Sequence, residues 1–247
     1  MEVQGIFDMH CHIVPFVDDG AEDMKEALAM LKEEYLQGVR GIIVTPHFRL
    51  GMFETSFEEV KKQFELLKIC AGNIGEDLKI YLGCEFHVNR YMLSILREKA
   101  AGTMAGSRYI LAEFSERDEF SYIKETVRLL RAEGYRPILA HVERYRCLVN
   151  KPETVEELLE MGAMIQVNAD SVIGKEGIRI KHFCRKLLKW EVVDFVGSDC
   201  HGTARRRCRI GEAYELIRRI YGEEYADYIF KQNPREILED AERRRNF

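Results

Sequence analysis

Ile6-Phe7-Asp8-Met9-His10-Cys11-His12 sets the pattern for the whole chain. An apolar, strand-like run ends in two imidazoles one residue apart, with a carboxylate just ahead of them. The arrangement returns at Thr45-Pro46-His47, Glu85-Phe86-His87, His141-Val142-Glu143-Arg144 and Ser198-Asp199-Cys200-His201. Each motif sits where a strand-like run stops. The chain has only seven histidines, and six of them fall in these five motifs. Neutral imidazole with carboxylate is the donor set of Zn, Mn and Fe sites. The pattern reads as a metal-dependent hydrolase with more than one ion.

Helical and strand-like segments alternate between the motifs. Residues 22–37 carry Met24, Leu28, Leu31 and Tyr35 at helical spacing, and Gly38 ends that run. Gly41 to Thr45 reads as a buried strand stopped by Pro46. Ser56 with Glu59 three residues on forms a capping box for a helix to about Cys70. Further strands are expected at 78–82, 109–112, 137–140, 163–167 and 192–196, and helices at 89–99, 119–133, 154–161 and 178–190. Helices then fill the chain to about Arg243. About seven strands alternating with helices imply a parallel α/β sheet. An open sheet and a closed barrel both have this rhythm. A barrel gathers the C-terminal strand ends at one mouth, whereas an open sheet spreads them along an edge. Five motifs at five strand ends therefore favour the barrel, built as one domain over residues 1–247.

Length and composition fit this. The 247 residues are 46% hydrophobic and 32% charged, with a formal charge of −5. That balance excludes a global pull toward nucleic acid or an anionic membrane. Seven dispersed cysteines without a CxxC pair argue against a disulfide framework or a Cys₄ zinc knuckle. Reduced thiols in a cytoplasmic protein are expected. Met1 to Gly5 show no signal-peptide pattern. No apolar run approaches the ~20 residues of a membrane helix.

Each motif carries its own chemistry. His10 and His12, at i and i+2 in extended backbone, point the same way and can share an ion. Cys11 between them turns away, as does Cys200 between Asp199 and His201, so a covalent cysteine mechanism is disfavoured. Asp18-Asp19-Gly20 is either a plain turn or a carboxylate returned to the mouth. Pro46 restricts the loop that presents His47. Glu85 ends an apolar strand with a carboxylate able to bridge two ions, and His87 alternates with it. Glu113 follows a buried run and needs a partner there. Arg144 is suited to paired hydrogen bonds with phosphate. Arg205-Arg206-Arg207 closely follows the last motif and offers further phosphate contacts. His182 lies on the polar face of its helix and reads as solvated.

Taken together, Asp8-x-His10-x-His12, Thr45-Pro46-His47, Glu85, Glu113, His141-x-Glu143-Arg144 and Ser198-Asp199-x-His201 resemble the polymerase and histidinol phosphatase (PHP) superfamily. Ile13-Val14-Pro15 leading to Val17-Asp18-Asp19-Gly20, with His141 to Tyr145, resembles its bacterial capsular and exopolysaccharide protein-tyrosine phosphatases. The resemblance spans residues 5 to about 210. It implies a distorted (β/α)₇ barrel with three metal ions, manganese foremost, iron or zinc as alternatives. By motif, one ion takes His10, His12, Glu85 and Asp199. A second shares Glu85 and adds Glu113 and His141. A third takes His47, His201 and Asp18 or Asp19. Arg144 and Arg206 match the phosphate-contacting arginines. Cys11 stands where a serine is usual. His87 departs from the pattern and is open to the roles of general acid, support or extra ligand.

The reaction so implied is phosphomonoester hydrolysis, with water acidified at bound ions from a pKa of ~15.7 to ~7. The substrate implied is the phosphotyrosine tail of a bacterial tyrosine kinase of polysaccharide synthesis. A histidinol-phosphate or other small-molecule phosphatase stays open. So do a nuclease-type module, disfavoured by the acidic charge, and a non-catalytic metal-binding regulatory protein. A homo-oligomer is compatible with the sequence.

Overall fold

The computed structural model describes residues 3–245. Met1 and Glu2, read above for a leader, and Asn246 and Phe247, counted in the domain, lie outside them. The elements follow the expected alternation. β1 (Ile6–Cys11) leads to α1 (Met24–Leu36), whose N-cap Asp23 accepts the Glu26 N–H. β2 (Val39–Val44), β3 (His47–Phe48) and α2 (Phe57–Ala71) come next. The Ser56 hydroxyl accepts the Glu59 N–H at 3.3 Å, as its capping box predicts. β4 (Lys79–Leu82), β5 (Glu85–His87), α3 (Met92–Arg97), β6 (Tyr109–Glu113), α4 (Phe120–Ala132) and β7 (Arg136–Leu139) continue the series. α5 (Arg146–Asn150), α6 (Thr154–Glu160), β8 (Met164–Asn168), α7 (Ala169–Ile173), α8 (Ile178–Lys189) and β9 (Phe195–Gly197) complete it, before α9 (Ile210–Tyr221), α10 (Glu223–Asp227) and α11 (Asn233–Arg245). The last helix reaches Arg245, two residues past the expected end.

Every ladder between these strands is parallel. One sheet runs β1-β2-β4 and the other β3-β5-β6-β7-β8-β9. The split arises because two of the seven expected strands bend. Pro46 interrupts the second, since it has no N–H to donate. The third bends at Gly83-Cys84 beside it. Backbone bonds continue across the bend, from Gly83 N–H to Val44 O at 2.7 Å and from Glu85 N–H to Pro46 O at 3.1 Å. The result is a distorted (β/α)₇ barrel, as the alternation suggests.

The interior and the helical shell have separate cores. Met9, Ile43, Leu111, Ile138 and Phe195 fill the barrel, and Ile237 and Ala241 of α11 pack into the same cluster. The opposite strand faces pack on the surrounding helices. Asp240 anchors α11 by accepting from the Arg108 backbone N–H at 2.8 Å and its guanidinium at 2.6 Å.

Closure between β1 and β9 is made by their continuations, not by a ladder. Asp199 N–H donates to His10 O at 2.8 Å, and His12 N–H to Cys200 O at 2.9 Å. Ser198 N–H donates to the Asp8 carboxylate at 3.0 Å. The backbones come close enough that a Cβ on Gly197 would stand 2.5 Å from His10 Cβ. Gly197→Ala should therefore cost about 1–3 kcal/mol through overpacking, lowering Tm by roughly 2–4 °C per kcal/mol. A thermal melt equal to that of the parent would show that the closure has slack.

Candidate metal centre

The mouth collects the motifs because each follows a strand of one parallel set. Ten of the imidazoles and acids singled out by sequence lie here: His10, His12, Asp18, Asp19, His47, Glu85, Glu113, His141, Asp199 and His201. They do not all point the same way. Glu85 lies at the centre and is wholly buried. Its Oε2 stands 3.2 Å from Nε2 of both His10 and His12 and 3.0 Å from His47 Nδ1. Its Oε1 is 2.8 Å from His141 Nε2. Asp199 Oδ1 is 3.6 and 3.5 Å from Nε2 of His10 and His12. Glu113 reaches His141 at 3.8 Å and His47 at 4.0 Å. Asp19 faces His47 at 3.6 Å and His201 at 3.5 Å.

Three of the histidines are oriented by acceptors behind them. His10 Nδ1 meets the Gln166 side-chain oxygen at 3.2 Å, His12 Nδ1 the Asp18 carboxylate at 2.8 Å, and His201 Nδ1 the Asp199 carbonyl at 3.0 Å. An acceptor at Nδ1 places the proton there and leaves the Nε2 lone pair bare toward the cluster. This is how proteins present imidazole to a metal. His201 Nε2, Glu85 Oε2, Glu113 Oε2 and His47 Nδ1 are buried without a hydrogen-bond partner. Orphaned atoms of this kind need an explanation, and a cation supplies it. Among the described residues four donor groups have the necessary convergence, and three of them share these residues: His10, His12, Glu85 and Asp199; His47, Glu85 and Glu113; and His12, Asp19, His47 and His201. The fourth, Asp8, Cys11 and Glu34, shares none of them.

The electrostatics agree. Burial pulls the imidazoles of His10 and His12 toward neutrality. For His10 the charges of Glu85 and Asp199 outweigh that and raise it; for His12 those of Asp18 and Glu85 do so. Burial and the Glu85 charge push Glu113 up to about 7. Burial, with Arg144 nearby, takes His141 down to about 4. Despite burial, the charges of His10 and His47 hold Glu85 well below the usual carboxylate range, and those of Arg144 and His10 do the same for Asp199. The centre thus keeps anionic oxygens that a bound cation would engage.

The geometry separates residues that the sequence leaves equivalent. Asp18 accepts from His12 Nδ1, the His47 N–H at 2.9 Å and the Gly20 N–H at 3.0 Å, so it supports the rings from behind. Asp19 faces the cluster. Arg206 donates to Asp199 Oδ1 at 2.8 Å, whereas Arg207 turns to Glu33 at 3.8 Å. Arg144 pairs with Asp199 Oδ2 at 2.9 Å. His87 stays outside the three donor groups. It lines the mouth beside Ser115, whose hydroxyl lies 3.3 Å from His87 Nε2. Cys11 and Cys200 are buried, and Cys200 Sγ donates to Glu34 at 3.5 Å, away from the cluster. His182 is exposed.

Sequence reading passed over β8. Gln166 receives both His10 Nδ1 and the His141 N–H, the latter at 2.7 Å. Asn168 donates to Asp199 Oδ2 at 2.7 Å. Two polar residues at i and i+2 in an otherwise apolar strand were the available signal. Arg49, two residues past His47, was also passed over. It shares the mouth cavity of about 520 Å³ with His87, Glu113, His141, Arg144 and Arg206. Gln166→Leu should preserve the fold and weaken metal binding about 10- to 100-fold, the usual effect of losing an outer-shell partner. Chelator competition would measure it, and unchanged affinity would remove Gln166 from the site.

Similarity to known proteins agrees with this geometry. The chain is 36% identical over 240 residues to the tyrosine-protein phosphatase CpsB of Streptococcus pneumoniae, covering 95% of this chain and 99% of that protein. It superimposes with a TM-score of 0.83 and 29% identity on a crystal structure from work on YwqE of Bacillus subtilis and CpsB of S. pneumoniae, described as metal-dependent tyrosine phosphatases. That match covers 96% of this chain and 93% of the other. A lactonase of Listeria monocytogenes, Lmo2620, shares the fold at a TM-score of 0.60 and 12% identity, covering 96% of this chain and 95% of its own. The sequence model for capsular polysaccharide synthesis proteins CpsB/CapC matches residues 6–239. The chain belongs to the CpsB/CapC family.

Proposed function

We propose that the chain is a metal-dependent protein-tyrosine phosphatase, working as one catalytic domain with three bound ions. The observation that carries this reading is the convergence of bare imidazole nitrogens and orphaned carboxylate oxygens beneath two arginines that share Asp199. His10, His12, Glu85 and Asp199 would hold one ion. Glu85, Glu113 and His141 would hold a second, with His47 in reach. His47, His201 and Asp19 would hold the third. A nitrogen and oxygen donor set suits manganese, with iron and zinc chemically admissible. Ions bound there supply Lewis acidity and water acidified toward neutrality.

The chain's own residues do the rest. Arg144 and Arg206 are fixed by Asp199 and still have guanidinium N–H groups for the equatorial oxygens of a phosphoryl group. His87 and Ser115 stand at the mouth, placed to hydrogen-bond the departing oxygen. A phenolate leaves with less protonation than an alkoxide, so an aryl phosphate asks less of that pair. The open cavity of about 520 Å³ admits a phosphorylated ring presented by a larger protein. Relatives named tyrosine-protein phosphatases and a family named for capsular polysaccharide synthesis support a phosphotyrosine substrate in that process. We place the substrate on the tail of a bacterial tyrosine kinase of polysaccharide assembly, and the reaction in the cytoplasm. Among the described residues no helix is long and apolar enough to cross a membrane.

The deciding experiment compares hydrolysis of a phosphotyrosyl peptide and histidinol phosphate by manganese-loaded protein, with and without chelator. The peptide should be the better substrate by kcat/KM, and chelation should abolish turnover until metal returns. Preference for histidinol phosphate would move the chain to small-molecule chemistry. His141→Ala and Asp199→Ala should each lower aryl phosphatase activity by several orders of magnitude with an unchanged circular dichroism spectrum. Near-parental rates in a folded variant would contradict the site.

A further inference from the structure

The mouth cavity is lined by three arginines, and they are not equivalent. Arg144 and Arg206 each spend a guanidinium nitrogen on Asp199. The Arg49 guanidinium has no ion pair or hydrogen bond with any other described residue. It is nonetheless close enough to act electrostatically on His87 and Glu113, two other residues of the cavity wall.

The Arg49 backbone is held firmly. Arg49 and Phe53 exchange both backbone bonds, at 2.9 and 2.8 Å, around a turn in which Gly51 has φ +78°. Met52 N–H also returns to Arg49 O at 3.1 Å. The Phe53 ring stacks on His47, with centroids 5.1 Å apart and planes 7° from parallel. This lip is therefore tied directly to the metal centre. The base of Arg49 is preorganised while its tip makes no ion pair or hydrogen bond with another described residue, which is how a protein prepares a cation for an incoming anion.

Two anions could answer: the phosphoryl group, or an acidic side chain beside the phosphotyrosine. The phosphoryl group is the anion that Arg49 can share with Arg144 and Arg206, which line the same cavity. Arg49 follows β3 and Arg144 follows β7, with β5 and β6 between them in the sheet. A phosphoryl group over Glu113 and His141 would thus be approached from two sides. We propose that Arg49 is a third phosphate-binding residue, closing on the phosphoryl oxygens from the β3 side of the mouth. The proposal rests on the phosphatase reading and names a contact outside the two arginines that the motifs supply.

The test uses manganese-loaded parent, Arg49→Ala and Arg49→Lys proteins. Metal content is measured by elemental analysis, inorganic phosphate binding by calorimetry, and KM with an aryl phosphate and a phosphotyrosyl peptide. Arg49→Ala should keep its full metal complement and bind phosphate about tenfold more weakly, the scale of one lost charge-assisted contact. KM should rise for both substrates. Arg49→Lys keeps the charge without the fork and should fall between. Phosphate affinity within twofold of the parent would overturn the proposal, as would a KM rise confined to the peptide. Loss of an ion in Arg49→Ala would also overturn it, making the residue a support for His47. If the parent hydrolyses no phosphotyrosyl peptide but binds phosphate in an Arg49-dependent way, the function fails and the Arg49 contact stands.

Discussion

Glu85 is the constraint around which the barrel is arranged. A carboxylate with no exposure must be answered by positive charge or strong donors. Here four imidazoles, of His10, His12, His47 and His141, surround it within 3.2 Å and still leave its Oε2 without a hydrogen-bond partner, the place a cation would take. Those residues belong to three different strands or their continuations, β1, β3 and β7, so the parallel topology has to bring them together. It does so only because the third strand bends at Gly83-Cys84. The bend releases β5 from the line of β4 and lets it pair with β6. β2 and β3 bend alongside, which sends His47 toward the same point. The break in the sheet that makes the barrel irregular is the feature that aims its central acid.

Backbone conformation at the mouth follows the same demand. His141, Asp199 and Arg206 are non-glycine residues in the left-handed region, at φ 33°, 52° and 48°. Such conformations cost of order 1–3 kcal/mol each and persist where surrounding structure enforces them. The enforcing bonds are present. The His141 N–H goes to Gln166, the Asp199 N–H to His10 O, and the Arg206 carbonyl accepts from the His201 N–H at 2.9 Å. Three of the seven left-handed non-glycine residues among those described thus belong to the mouth, each held through its backbone by a bond to a neighbouring segment.

Much of this was legible before any coordinates. The alternation of strands and helices and the placement of imidazoles after strands pointed to the barrel. Period-two reasoning turned Cys11, in β1, away from the site; Cys200 also faces away, toward Glu34, but through the left-handed turn at Asp199 and not through strand alternation. Three things stayed hidden, each for a physical reason. The β1–β9 closure is made by irregular continuations beyond the strands, which no propensity marks. Asp18 and Asp19 are chemically identical, and only the path of the turn assigns one to the rings and the other to the cluster. Gln166 acts through contacts with His10 and His141 made across the barrel, and Arg49 reaches the mouth only through the folded lip, so the sequence gives at most the weak signal of a polar residue in an apolar strand. The expected strand at 192–196 starts later, at Phe195; just before it Asp194 meets Ile165 twice, its N–H donating to Ile165 O at 2.9 Å and its carboxylate accepting the Ile165 N–H at 2.7 Å.

Asp199 faces two audiences. One of its oxygens looks toward His10 and His12 and also receives Arg206; the other receives Arg144 and Asn168. Whatever draws electron density from this carboxylate on the inner side loosens its grip on the guanidinium groups outside. By reciprocity, an anion that engages those groups leaves the carboxylate freer to serve a cation. Occupancy of the floor and occupancy of the rim are thus thermodynamically linked through one side chain, so each should tighten the other.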